Sequence, residues 1–293
     1  MRKIKVSVIK KEIEKLCVKA NFDLRSDVLK ALRRALKNET NRRAKELLSA
    51  IIKNSQLARR NRLAICQDTG MPMVFLEIGQ NVNVAGGNLI KTIQQAVAGV
   101  YRQAGLRNSI IADPLKRGRP QFSPVVIHTE IISGDKIKLT ILPKGFGCEN
   151  KSQLKMLLPT AGLAEIKKFI IEAVKIAGPD ACPPFVVGVG IGGTADYASL
   201  LAKKALLRKI KNPCLAGRQE KSKIKNTNQN SKICGLEKEL LSEINRLNIG
   251  PMGLGGKTTC LGVNIETYPT HIAGLPVAIN ISCHALRSAR KVI

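Results

Sequence analysis

The chain has no tryptophan, three tyrosines and six phenylalanines, and 21 acidic residues against 49 basic ones. The shortage of aromatics argues against a single-strand nucleic-acid platform, which stacks bases on such rings. No apolar run approaches the 18 residues of a membrane-spanning helix. The basic start, Met1 to Lys5, is followed by Lys10, Lys11, Glu12 and Glu14, which interrupt the apolar core of a signal peptide. There is no C-x-x-C pair: the nearest two of the eight cysteines, Cys214 and Cys234, lie 20 residues apart. That removes the common zinc-ribbon and ferredoxin spacings. Without a signal peptide, a secreted disulfide scaffold is not expected. Together these absences predict a soluble, cytoplasmic protein.

What remains is a 293-residue chain that is 44% hydrophobic, enough to bury one large core or two modest ones. Its net charge of +28 first suggests nucleic acid. However, the 31 lysines outnumber the 18 arginines, and arginine is the better bidentate reader of bases. The charge is also unevenly placed. Residues 1–62 carry +13 and residues 203–232 carry +9, so only +6 is left for the rest of the chain. The excess sits away from the motifs described below. It no longer argues for nucleic acid: at most it helps attract a dianionic substrate or an acidic partner, and a general lysine enrichment accounts for the same number.

The expected class is α+β. It begins with a helical segment, residues 1–60, where Val6, Ile9, Ile13, Leu16 and Cys17 recur at helical spacing. A mixed sheet-and-helix part follows, all within one domain spanning 1–293. Helices are expected over 88–104 and 166–176. Strands over 125–132 and 136–142, joined by Ser133-Gly134-Asp135, read as a hairpin. Residues 209–235, rich in Lys and Asn, read as an exposed basic insertion.

Two glycine-rich stretches resemble nucleotide motifs and fail as such. Gly188 to Gly193 fits G-x-G-x-x-G after an apolar strand, but no acidic residue stands about twenty positions on. A tight strand-to-helix turn, or a helix N-terminus holding another anion, fits as well. Gly256-Lys257-Thr258 ends like a phosphate loop, but position 251 is Pro251 where that motif needs glycine. Lys257 can still hold a carboxylate. Among the histidines, His128 lies mid-strand and reads as structural. His271 lies in an interstrand loop and is an acid–base or substrate-binding candidate. Cys66, Cys182 and Cys283 stand apart by their loop contexts: a polar loop, a double proline and a strand end.

Five segments together carry a resemblance. They are Cys66-Gln67-Asp68-Thr69-Gly70-Met71-Pro72, Ala181-Cys182-Pro183-Pro184, Gly188 to Thr194, Asn248 to Thr259, and Tyr268 through Ala285. In this order they resemble the α-type catalytic domain of the class I fumarate hydratase and L-tartrate dehydratase family of iron–sulfur hydro-lyases. The resemblance runs from about residue 10 to the end of the chain. It implies a [4Fe-4S] cluster on Cys66, Cys182 and Cys283 whose fourth iron faces the substrate. It implies Asp68 and His271 as catalytic residues, with Gln67, Arg107, a backbone amide near Gly147, and Lys257 contacting the dicarboxylate.

The implied reaction is reversible hydration of fumarate to L-malate, with dehydration of L-tartrate to oxaloacetate as the alternative. The resemblance further implies a separate β subunit that supplies the remaining carboxylate-binding groups and a base, and an oxygen-sensitive cluster. This sequence departs from the family at Cys148, where the family has serine, and at Cys260, where a small residue is expected. Both are expected to be packing thiols. A reading from another class also stays open: a basic binding protein that keeps the fold without catalysis.

Overall fold

The structure, a computed structural model, describes residues 1–210 and 227–293. In chain order the first elements are β1 (Arg2–Lys5), α1 (Val6–Phe22), α2 (Ser26–Asn38), α3 (Arg42–Asn61), β2 (Met71–Gly79), β3 (Val82–Ala85), α4 (Leu89–Gln103), β4 (Val126–Ile132) and β5 (Ile137–Lys144). There follow α5 (Phe146–Glu149), β6 (Gln153–Leu157), α6 (Leu163–Ala177), β7 (Phe185–Gly193), α7 (Ala195–Leu207), α8 (Thr227–Asn245), β8 (Cys260–Thr270), β9 (Leu275–Ser282) and β10 (Ala289–Val292). The class is α+β, as the sequence pattern indicates. The chain forms two compact units. The first comprises Met1–Arg25, Asn54–Phe146 and Arg287–Ile293; the second comprises Ser26–Lys53 and Gly147–Leu286.

The first unit holds a four-stranded sheet in the order β10-β5-β2-β4 and a short parallel pair, β1 with β3. Five consecutive residues of β2, Pro72 to Leu76, are buried, as a central strand covered on both faces requires. α1 packs on α4 and on β5. Its buried stripe of Ile9, Ile13, Leu16 and Cys17 meets Ile93, Val97, Leu139 and Ile141 in one core. Asn88 caps α4, its side chain accepting from the Lys91 amide at 2.9 Å. Gly105, at φ +65°, lies just beyond the end of that helix.

The expected hairpin between 125–132 and 136–142 is not formed. Both strands are there, but β2 lies between them, parallel to β4 and antiparallel to β5. The Ser133-Gly134-Asp135 turn instead closes over the end of β2. The Gly79 amide donates to Lys136 O at 2.8 Å and the Asn81 amide to Gly134 O at 2.9 Å. A Cβ at Gly79 would stand 2.6 Å from Gly134 O, so glycine is needed there.

The second unit is a four-stranded sheet in the order β6-β9-β7-β8, with β7 parallel to β8 and antiparallel to β9. Residues of β7 alternate between two faces. Val187 and Val189 join a core with Ile170 and Val174 of α6 and Leu240 and Ile244 of α8. Gly188 and Gly190 turn to the other face, against α7. A Cβ on Gly188 would lie 2.2 Å from Ala202 O, and one on Gly190 2.0 Å from Ala198 O. The G-x-G-x-x-G run is therefore inside a strand, and two of its glycines serve close helix-on-strand packing rather than a phosphate.

Of the expected insertion over 209–235, Lys209, Ser231, Lys232 and Gly235 are exposed. Ile210 is buried, its amide bonded to Asp27 Oδ2 at 2.9 Å. Residues from Thr227 onward are helical, and Ile233 and Leu236 pack on the core. Residues 211–226 lie outside the described residues.

Candidate functional site

In the first unit, the loop that carries Cys66, Gln67 and Asp68 into β2 is fixed at nearly every residue. Ile65 O accepts from Asn54 Nδ2 at 2.8 Å, and the Ile65 amide donates to Asn21 O at 3.0 Å. Thr69 O accepts from the Tyr101 hydroxyl at 3.3 Å, and Thr69 Oγ1 accepts from the Arg107 amide at 3.0 Å. Buried Tyr101 is itself held by Asn21 Nδ2 at 3.1 Å. Burial pushes the Tyr101 phenol up, so it stays a hydroxyl donor.

The Asp68 carboxylate lies between two backbone donors. Oδ1 accepts from Gly70 at 2.9 Å and Oδ2 from Phe146 at 2.8 Å. Gly145 leaves room for it, since a Cβ there would sit 3.2 Å from Oδ2. Arg287, which precedes β10, donates through Nη2 to the Asp68 carbonyl. Gln67 is exposed and Cys66 and Asp68 are partly so; the Cys66 thiol reaches Gln67 Oε1 at 3.4 Å. The loop thus presents a thiol, an amide and an oriented carboxylate side by side, with the exposed Arg107 tied to it through its backbone.

In the second unit, β7, β8, β9 and β6 bring four loops to one end of the sheet. The register pairs the start of β7 with the end of β9, Val186 with Ser282, and with the start of β8, Phe185 with Cys260. The start of β6 lies at the same end, Gln153 opposite Ile279. Cys182, Cys283, Lys257 and Gly147 lie on these four loops.

Cys182 adopts φ +52°, a left-handed conformation that a side chain rarely takes and that clusters at functional sites. Its carbonyl accepts from the His284 amide at 3.3 Å and faces His284 Nδ1 at 3.0 Å. The Met252 amide donates to Pro183 O at 2.9 Å, drawing in the glycine-rich loop before β8. Exposed Lys257, on that loop, borders a basic groove with Lys238 and Arg246. Its amide donates to Glu39 Oε2 at 2.8 Å.

The loop bearing Gly147 is held by a polar network. Glu149 pairs with Lys203 and accepts from Asn280 Nδ2 at 2.9 Å, and the same nitrogen reaches Ser152 Oγ at 2.7 Å. The structure does not bring His271 to these loops. It lies exposed in the turn between β8 and β9, at the opposite end of the sheet, one eight-residue strand or roughly 26 Å away.

The described cysteines differ in exposure. Cys66, Cys182 and Cys283 are partly exposed on loops and Cys234 is partly exposed on α8, whereas Cys17, Cys148 and Cys260 are buried. Burial pushes the Cys260 thiol up to about 12, and Cys17 up as well. Such buried thiols suit packing better than ligation, which needs a thiolate. Among the described residues no three of His, Cys, Asp and Glu are already gathered as a metal site. Three accessible soft donors, two of them on segments joined through His284, nonetheless fit an iron–sulfur group in kind. Sequence reasoning missed Arg287, Glu149, Glu39 and the Asn21–Tyr101 pair. The only hint was Glu149, an acidic residue in an otherwise glycine-rich loop.

The fold and site together describe an α+β protein whose loops present thiols beside groups suited to a carboxylate ligand. The fumarate hydratase (Fumerase) family model matches residues 10–292, and the chain belongs to that family. It is therefore an enzyme of hydro-lyase type. It is 43% identical over 279 residues to the Methanocaldococcus jannaschii protein named "Putative L(+)-tartrate dehydratase subunit alpha", covering 92% of each chain. It is 31% identical over 265 residues to the L(+)-tartrate dehydratase subunit alpha of Escherichia coli K12, covering 89% of this chain and 82% of that one.

Proposed function

We propose that the chain is the cluster-bearing α subunit of a [4Fe-4S]-dependent hydro-lyase that reversibly hydrates fumarate to L-malate. The observation that carries this reading is the pinned Cys66–Gly70 loop, with its partly exposed thiol beside a carboxylate fixed by two amides. Cys66, Cys182 and Cys283 would hold the cluster. When bound, the cluster supplies a Lewis-acidic iron that polarises the C–O bond to be made or broken.

The chain's own groups do the rest. Arg107 and Lys257 neutralise the substrate carboxylates, the arginine through its two-pronged edge. Gln67 donates an amide N–H, and the amide near Gly147 adds a fixed donor. Asp68 keeps one carboxylate face free for the substrate hydroxyl, because its other lone pairs are engaged by Gly70 and Phe146. His271 enters as an acid–base residue from the far turn of its own sheet, so it serves a site completed by assembly. A separate β subunit, whose existence the "subunit alpha" names of the relatives support, would supply further carboxylate contacts. The seven described cysteines are all free, in keeping with a reducing cytoplasm. No helix of the described residues is long and apolar enough to cross a membrane.

The names of both relatives favour a second substrate, L-tartrate. Assaying malate, fumarate and L-tartrate with the anaerobically reconstituted subunit pair separates the two. Turnover of malate well above tartrate supports the first reading, and the reverse supports the second. Turnover of neither, with a fully loaded cluster, removes the hydro-lyase reading of this pair.

A further inference from the structure

Arg287 is 3% exposed, yet it uses only part of its hydrogen-bonding capacity. Nη2 donates to the Asp68 carbonyl, while Nε and Nη1 have no partner. Among the described residues no carboxylate forms an ion pair with it. A buried guanidinium carries five N–H donors in a rigid fork, and a desolvated charge left this way is costly unless an anion completes it. The position of the residue narrows the choice of anion. Arg287 lies four residues beyond Cys283, and its one bond goes to the residue two beyond Cys66.

We propose that the free edge of Arg287 donates N–H bonds to a sulfur of the iron–sulfur cluster, a cysteinate or an inorganic sulfide. The inference rests on the cluster reading above and goes beyond it. A cluster ligated by three thiolates is anionic and presents several weak acceptors, so it suits a dry, forked donor. A substrate carboxylate suits the position less well, because substrate must exchange with water at every turnover. The same guanidinium holds the backbone of Asp68, so the arginine links cluster occupancy to the placement of that carboxylate. Hydrogen bonds to cluster sulfur raise its reduction potential.

The test uses the anaerobically reconstituted subunit pair with Arg287→Met, close in shape without donors, and Arg287→Lys, which keeps the charge without the fork. We expect iron loss to a chelator to be about 10-fold faster in Arg287→Met, the usual scale for losing an outer-shell partner. The reduction potential of the cluster falls in both variants, with Arg287→Lys the milder, and the electron paramagnetic resonance signal of the reduced cluster shifts. If Arg287→Met does not fold, the lowered potential and faster iron loss of Arg287→Lys carry the test. Unchanged potential and iron retention in the variants, with or without a raised KM for malate, overturn the proposal alone. A wild-type pair that takes up no iron and sulfide overturns the cluster reading and this proposal with it.

Discussion

His284 Nδ1 lies 3.0 Å from the carbonyl oxygen of Cys182, and the His284 amide reaches the same oxygen at 3.3 Å. A residue next to Cys283 thereby ties down the segment of Cys182, so two of the proposed ligand segments are joined without a metal. Pre-positioned ligands lose less entropy on binding, which favours retention of the group they hold. His284→Ala leaves both cysteines in place and loosens the link. We expect cluster bleaching by a chelator to accelerate by about 10-fold. An unaltered bleaching rate would show that the contact is incidental.

Gly190 and Gly99 predict opposite responses to the same substitution. Alanine at Gly190 would place Cβ 2.0 Å from Ala198 O and force α7 off β7. Overpacking of this kind costs about 1–3 kcal/mol. Gly99 lies within α4, and a methyl group added there would meet nothing within 4 Å, so Gly99→Ala stabilises by about 0.5–1 kcal/mol. Urea unfolding of both variants measures the two signs.

Glu39 is 2% exposed and binds the glycine-rich loop of Lys257. Burial acts to raise its pKa. The amides of Asn41, Thr40 and Lys257 outweigh that and hold it below the ordinary carboxylate value of 4.5. A depressed folded-state pKa means the stabilisation is present above the unfolded value and lost as pH falls through the folded one. Glu39→Gln should therefore be less stable than wild type at pH 7, and the gap should close as pH falls below about 4.5. A gap that stays constant down to pH 2 would rule out this account of the carboxylate.

Glu149 and Lys203 form a half-buried pair, with side chains 22% and 17% exposed. Glu149→Gln and Lys203→Met should each destabilise by about 1.5–3 kcal/mol, the range for a hydrogen bond to a charged group. The double variant should lose less than the sum of the two, because it leaves no unpaired charge. Strict additivity would mean the two groups do not act together. Since Glu149 also holds Asn280 and the Gly147 loop, Glu149→Gln should raise the KM for substrate in the assembled enzyme.

Local features of the chain are legible in its sequence and long-range ones are not. The stripe of Ile9, Ile13 and Leu16, the cap at Asn88 and the polar loop after Cys66 depend on neighbours a few residues away. The burial of Cys148 and Cys260 also follows from their settings. The insertion of β2 between β4 and β5 is not legible, because it depends on a register between segments far apart in the chain. The turn Ser133-Gly134-Asp135 has the composition of a hairpin in either arrangement. Gly188 and Gly190 match a nucleotide pattern because a tight loop and a tightly packed helix both require a missing side chain. Arg287 gives no local signal, since its partner Asp68 lies over two hundred positions earlier. His271 is legible as a loop histidine, but its distance from the Cys182 and Cys283 loops follows only from the strand order.

The central claim is that Cys66, Cys182 and Cys283 hold the cluster while Cys148 and Cys260 are packing thiols. The most direct measurement is iron and acid-labile sulfide per chain, after anaerobic reconstitution, for the five single cysteine-to-alanine variants and wild type. The account predicts a loaded, brown wild type, near-complete loss of iron in the variants at 66, 182 and 283, and retention in those at 148 and 260. Full iron content in any of the first three, or its loss in the last two with the fold intact, would contradict it.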